Sequence, residues 1–146
     1  MRVHPDVVAG VRSIAGLGLR LVTLTNGSAV VADRLLSAAG VRDQFEQLLS
    51  VEDAGAWKPA AEAYRYAARC CTVPAEQLML VAAHPWDIDG AARVGLATAW
   101  VNRTGTMYPE FFTPPTHTIN SLTELAAHLA PGEHPPAPDQ GEWTPS

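Results

Sequence analysis

A single lysine, Lys58, stands in this chain, flanked by Trp57 and Pro59. A helix is expected to start at Pro59, and a lysine just ahead of it opposes the helix dipole. The placement costs stability locally, so it calls for a functional reason; a solvated loop charge is the plain alternative. Two further segments could act with it. Thr25-Asn26-Gly27-Ser28 puts a hydroxyl, an amide and a permissive glycine at a helix start, where backbone N–H groups and the dipole can hold an anion. Asn and Ser are also favoured caps, which explains the same residues without a ligand. The third segment is Ala82-Ala83-His84-Pro85-Trp86-Asp87-Ile88-Asp89-Gly90-Ala91. Asp87 reads equally well as a helix cap, and Asp89 is expected to be solvated. Two acids two positions apart do not share a helix face, so they do not form a metal pair. His84, held extended before Pro85, is open to three readings: a base, a ligand or a loop residue. Tyr64, at an inward helical position, reads as core.

The elements that must position these groups follow from apolar periodicity. Val7, Val8, Val11, Ile14 and Ala15 mark a helix that begins at Pro5-Asp6 and stops at Gly16 or Gly18. Leu19–Leu24 is apolar at nearly every position, as suits a strand covered on both faces. A helix from Ser28 to Ala39 turns Val31, Leu35 and Ala38 inward, and a short strand follows at Gln47–Val51. The helix from Pro59 carries Ala63, Tyr64, Ala67 and Cys71 on one face. Leu78–Ala83 is a third strand, a helix runs from near Asp87 to Gly95, and Ala97–Val101 is a fourth strand. Ser121-Leu122-Thr123-Glu124 is a capping box opening a last helix with Leu122, Leu125 and Leu129 inward. Helices alternating with strands over long crossovers predict a Rossmann-like, three-layer α/β fold with one parallel sheet. Its ligand site lies outside the carboxyl ends of the strands, where all three chemical segments fall.

Composition narrows the function classes. The chain has 146 residues, 47% of them hydrophobic, enough for one core. Residues 1–130 are expected to form it. Residues 131–146, with five prolines in sixteen positions, form an expected flexible tail. A net charge of −5, with no basic cluster, argues against nucleic acid as a partner. No apolar run reaches the roughly 18 residues of a membrane span, and the first residues lack the apolar core of a secretory signal. The two cysteines, Cys70 and Cys71, are adjacent and fit neither a disulfide framework nor a zinc site. A cytoplasmic protein is expected.

Taken in register, Thr25-Asn26-Gly27-Ser28, Lys58-Pro59 with Tyr64, Ala83-His84-Pro85-Trp86-Asp87-x-x-Gly90-Ala91 and Ala99-Trp100-Val101-Asn102-Arg103 resemble the haloacid dehalogenase superfamily. Within it they are most similar to the 2-haloacid dehalogenases of type II. The resemblance covers about Asp6 to Ala130. It implies a nucleophilic aspartate that displaces halide from C2 of a small 2-haloacid, and a water that then hydrolyses the ester. It further implies that Thr25 orients the nucleophile and that Asn26, with Gly27, belongs to the cradle of the departing halide. Lys58 stabilises the nucleophile's charge, and Asp87 holds Lys58 and helps to place the water. Tyr64 contacts the substrate region, Trp86 forms an aromatic wall, and His84 joins them at the site. No cofactor or metal is implied. The phosphatase branch, the nearest rival, holds Mg²⁺ with an acid four or five residues before the position of Asp87. Ala83 and Ala82 stand there, and alanine supplies no oxygen to a hard cation. Ala82 and His84 also replace the Ser and Asn of the dehalogenase pattern, which alters the water-positioning network.

The family's nucleophile motif, Asp-x-Tyr/Asp-Gly-Thr at the end of a first strand, matches no segment of this chain. Asp6 follows too short a stretch, Asp53 lies in the loop before Lys58, and Asp87 opens a helix. The helical cap and its halide-binding arginine are not matched either. The chain is therefore expected to be an N-terminally truncated core. Its function is then that of a haloacid dehalogenase-like hydrolase acting with a complementing N-terminal segment, or of a non-catalytic anion-binding remnant. In the family's sheet order the nucleophile strand lies between Leu19–Leu24 and Leu78–Ala83. Self-association or poor folding is expected where that place is unfilled.

Overall fold

The computed structural model describes residues 2–129, so the expected tail lies outside the described residues. Its helices are α1 (Val7–Ala15), α2 (Ala29–Ala38), α3 (Ala61–Cys71), α4 (Pro85–Val94) and α5 (Leu125–Leu129). Its strands are β1 (Val22–Thr25), β2 (Gln47–Ser50), β3 (Met79–Ala82), β4 (Ala97–Val101) and β5 (His117–Ile119). Every strand pairing is parallel, and three layers of helix, sheet and helix result. Ile14 of α1 and Leu125 of α5 pack with Ala99, Val101 and Ile119 on one face. Tyr64 of α3 and Ala91 of α4 pack on the other.

The expected single sheet is instead two among the described residues, β1-β2 and β3-β4-β5. β1 and β3 exchange no hydrogen bond, yet they share both cores. Leu24 and Leu80 pack on the Tyr64 cluster, and Leu21 and Met79 on the Ile14 cluster. The carbonyls of Leu21 and Thr25 accept from the β2 side, and that of Leu78 accepts from the β4 side. Because strand backbones alternate, Val22 and Leu24 turn their peptide groups to one side of a slot, and Met79 and Val81 theirs to the other. Val81 is exposed, and the Thr23 hydroxyl is buried without a partner among the described residues.

Several boundaries shift for physical reasons. β1 starts later than Leu19, because Arg20 ends the apolar run by forking onto Glu46 at 2.8 and 2.6 Å and donating to the Cys71 carbonyl at 3.0 Å. On α2 the buried residue is Leu36, packed with Val11 and Val41, while Val31 is exposed. The inward face is thus rotated from the expected Val31 and Ala38. α3 begins at Ala61 instead of Pro59, and α4 begins at Pro85, which puts Asp87 inside the first turn instead of at its cap. The expected last helix opens as a 3-10 turn, Leu122–Glu124, in which Ser121 makes no capping bond. Strand β5 was not expected; its three residues follow a stretch rich in Thr and Pro, and only buried Ile119 carries the apolar signal.

Asp6 bolts three parts of this fold together. Its carboxylate accepts from Arg103 Nε and Nη2, each at 3.1 Å, and from the Leu122 N–H at 2.6 Å. Burial alone would raise its pKa, but the Arg103 and Leu122 hydrogen bonds outweigh that and hold it below the ordinary carboxylate value. The folded state therefore binds its proton more weakly than the unfolded state. This stabilisation is present above the ordinary carboxylate pKa and fades as pH falls through the folded value. Asp6→Asn should cost about 1–3 kcal/mol at pH 7, the scale of charged hydrogen bonds. Thermal melts should show the gap between variant and parent closing below pH 4. An equal gap at pH 3 and pH 7 would contradict this role.

Candidate active site

Each chemical segment lies at a carboxyl end of a strand, and backbone geometry brings them together. Where β1 ends, the Thr25 hydroxyl accepts from the Gly27 N–H at 2.9 Å, and Ser28 caps α2 by accepting from the Val30 N–H at 3.0 Å. Asn26 does not cap. Its Oδ1 accepts from the Lys58 N–H at 3.0 Å, and its Nδ2 donates to the Lys58 carbonyl at 3.4 Å. Both polar ends of this amide are thus committed to the backbone of one residue. Lys58 and Pro59 form the middle of a turn closed by the Ala60 N–H on the Trp57 carbonyl at 2.9 Å, and the peptide between them is cis.

From that turn the Lys58 side chain reaches Asp87 on α4. Nζ lies 2.7 Å from Asp87 Oδ2, with the side chains 10% and 5% exposed. Ion pairs this well buried survive only when further hydrogen bonds offset desolvation. Tyr64 supplies one: its hydroxyl, fully buried, donates to Asp87 Oδ1 at 2.7 Å, with the Asp87 carbonyl 3.2 Å away. Burial first, then this hydrogen bond and the charges of Asp87 and Asp89, raise the Tyr64 pKa, so the phenol stays a donor. Asp87 sits in the first turn of α4, where the dipole favours a negative charge. An ammonium has three hydrogens and Asp87 needs one, so Lys58 retains donors for an incoming anion.

The other expected site residues lie around this centre. The Gly27 carbonyl accepts from the Ser50 hydroxyl at 2.8 Å. The His84 carbonyl accepts from the Asp87 N–H at 3.0 Å, and its ring stacks on Trp86 with centroids 5.6 Å apart. Trp57 and Trp86, directly before the two charged residues, are both exposed. Asp89 is buried and not solvated as expected. Its Oδ1 accepts from the Thr113 N–H at 2.8 Å, and its Oδ2 lies 3.3 Å from Arg93. Asp89 anchors the loop between β4 and β5, a partner 24 positions away that local spacing does not reveal. Ser50 was missed as well; buried, it ties Gly27 to the Glu52 N–H, which donates to it at 3.1 Å. A serine amid Leu48, Leu49 and Val51 was the available signal. Among the described residues no three of His, Cys, Asp and Glu cluster as a metal site. None of the described helices is long and apolar enough to cross a membrane.

The family model of the haloacid dehalogenase-like hydrolases matches residues 1–95, and the chain belongs to that family. It is 31% identical to (S)-2-haloacid dehalogenase H-109 of Pseudomonas putida over 126 residues, which is 86% of this chain and 56% of that one. A solved L-2-haloacid dehalogenase superposes with a TM-score of 0.82 at 30% identity, over 88% of this chain and 56% of its own. A phosphatase of the same fold from Thermococcus onnurineus follows at 0.76 and 25%, over 87% and 58%. The chain thus spans a little over half the length of the relatives it matches.

Proposed function

We propose that this chain is the core of a hydrolytic 2-haloacid dehalogenase, completed by a strand that enters between β1 and β3. The observation that carries the reading is the Lys58–Asp87–Tyr64 constellation together with the edges of β1 and β3 that are unpaired among the described residues. A strand seated there, parallel to both neighbours, ends next to Lys58 and Thr25. An aspartate at that end has its charge neutralised by Lys58 and its oxygens oriented by the Thr25 hydroxyl. One carboxylate oxygen attacks C2 of a small 2-haloacid; the C–O bond forms as the carbon–halogen bond breaks, and the electron pair leaves with the halide. Water then cleaves the ester at its carbonyl, releasing the 2-hydroxyacid and restoring the carboxylate. Asn26 and Gly27 lie where the halide departs, Asp87 holds Lys58 and helps to place the water, and Tyr64, Trp86 and His84 border the substrate. No cofactor enters this chemistry. An (S) configuration of the substrate is taken from those relatives that are (S)-2-haloacid dehalogenases, and a haloacetate dehalogenase of Moraxella among them points to the same class of small haloacid.

The strand comes from a segment outside these residues, because the inserted strand must end in the nucleophilic aspartate and no segment of this chain matches that motif. A cytoplasmic location accords with the reading, and neither nucleic acid nor membrane has a part in it. The phosphatase reading is weaker, because Ala82 and Ala83 offer no oxygen ligand near Asp87. The other alternative, an anion-binding module without catalysis, keeps the ammonium but needs no strand. The coding DNA upstream of Met1, read in all frames, separates them. An apolar run ending in Asp-x-Tyr-Gly-Thr or Asp-x-Asp-Gly-Thr favours the hydrolase. An upstream region without one favours the binding module.

A further inference from the structure

Gly90 is the sixth residue of the ten-residue helix α4, a position where glycine is a poorer helix former than any residue but proline. Its φ is not in the left-handed region, so backbone freedom does not explain it. Space does. A Cβ built there would lie 2.7 Å from Pro59 Cβ, 2.8 Å from the Tyr64 hydroxyl oxygen and 3.0 Å from Tyr64 Cε2. Neither neighbour can yield freely. Pro59 is a rigid ring bonded to Lys58, and Tyr64 is fully buried with its hydroxyl on Asp87. A single methyl group at position 90 must therefore displace one arm of the Lys58–Asp87–Tyr64 constellation. At the opposite end of the same dipeptide, Asn26 grips the Lys58 N–H and carbonyl together.

We infer that Asn26 and Gly90 are positioning residues that hold the Lys58–Pro59 dipeptide from two sides and so set the ammonium on Asp87. Asn26 fixes the backbone from which the side chain departs. Gly90 lets the proline ring and the phenol seat directly against α4. The inference rests on Lys58 being the stabilising cation of the proposed site, but its test needs neither substrate nor a completing strand.

The chain offers a clean probe, because it has one lysine. With ¹⁵N-lysine, nuclear magnetic resonance reports one side-chain ammonium, and its proton exchange with water measures how firmly Lys58 is held. The parent should exchange slowly. Gly90→Ala and Asn26→Ala should each speed exchange about fivefold or more, the scale of coupling between residues in contact. Gly10→Ala is the control for general loosening: its Cβ would meet Leu122 at 2.6 Å, away from the site. It should lower the melting temperature and leave Lys58 exchange at the parent rate. Unchanged exchange in either site variant, with circular dichroism intact, overturns the inference. So does an equal acceleration in Gly10→Ala. Should Gly90→Ala not fold, Asn26→Ala decides: faster exchange supports the grip and unchanged exchange overturns it. Exchange that responds as expected in a chain that hydrolyses no haloacid even when completed by a nucleophile strand would leave this inference standing and sink the hydrolase reading alone.

Discussion

Incubated alone with 2-chloropropionate, the 146-residue chain should release no chloride above the uncatalysed rate. The reason lies in how the site's carboxylate is used. Asp87 has one oxygen on the Lys58 ammonium and the other on the Tyr64 hydroxyl, so neither is free to attack carbon. Asp89 is likewise committed to Thr113 and Arg93. What remains can orient and stabilise but cannot form the ester. Loss of a covalent nucleophile typically removes about four to six orders of magnitude from turnover, because the other groups act only through it. Ion chromatography over a day at micromolar protein is sensitive enough to decide. Release above background that disappears on Lys58→Ala would mean that these residues hold a complete site.

The second large effect concerns stability. Asp87→Ala should destabilise the fold by about 3–5 kcal/mol, the cost of leaving a buried charge without its partner. It strands the Lys58 ammonium, 10% exposed, and the Tyr64 hydroxyl in one step. For a domain of this size that is about 10–15 °C in melting temperature, at roughly 3 °C per kcal/mol. Asp87→Asn, which keeps an acceptor for Tyr64, should lose less. The double change Lys58→Met with Asp87→Leu should lose least, since it removes both charges instead of isolating one. Differential scanning calorimetry gives the order directly. A melting temperature for Asp87→Ala within 3 °C of the parent would show that the pair is not the keystone described.

Much of the site was legible because its geometry is carried by strand ends, and strand ends are marked by where apolar runs stop. Lys58 stood out by opposing a helix it was expected to precede. The structure replaces that argument with another: α3 starts two residues later than expected, at Ala61, and Asp87 on a different helix compensates the lysine. Tyr64 illustrates the limit of periodicity. Its inward position is correctly read as core, but only the register of α3 against α4 puts its hydroxyl on Asp87. Asp89, Ser50 and the Asp6–Arg103 pair escaped because their partners lie 23 to 97 positions away. Gly90 gave a local signal, a glycine inside a helix, whose meaning depends on a ring 31 positions earlier in the chain. The split into two sheets was legible only through the family's strand order, since no composition or spacing announces an unpaired edge.

Complementation brings the account to a single measurement. The chain would be co-expressed with the N-terminal part of a related 2-haloacid dehalogenase, carrying the nucleophile strand and the helical cap. The purified complex would then be given 2-chloropropionate. The account predicts chloride release at least about a hundredfold above background, lost on Lys58→Ala, because the ammonium must neutralise the attacking carboxylate. A stable complex that releases no chloride, or releases it equally with Lys58→Ala, would contradict the claim that this lysine and the slot beside it form a dehalogenase site.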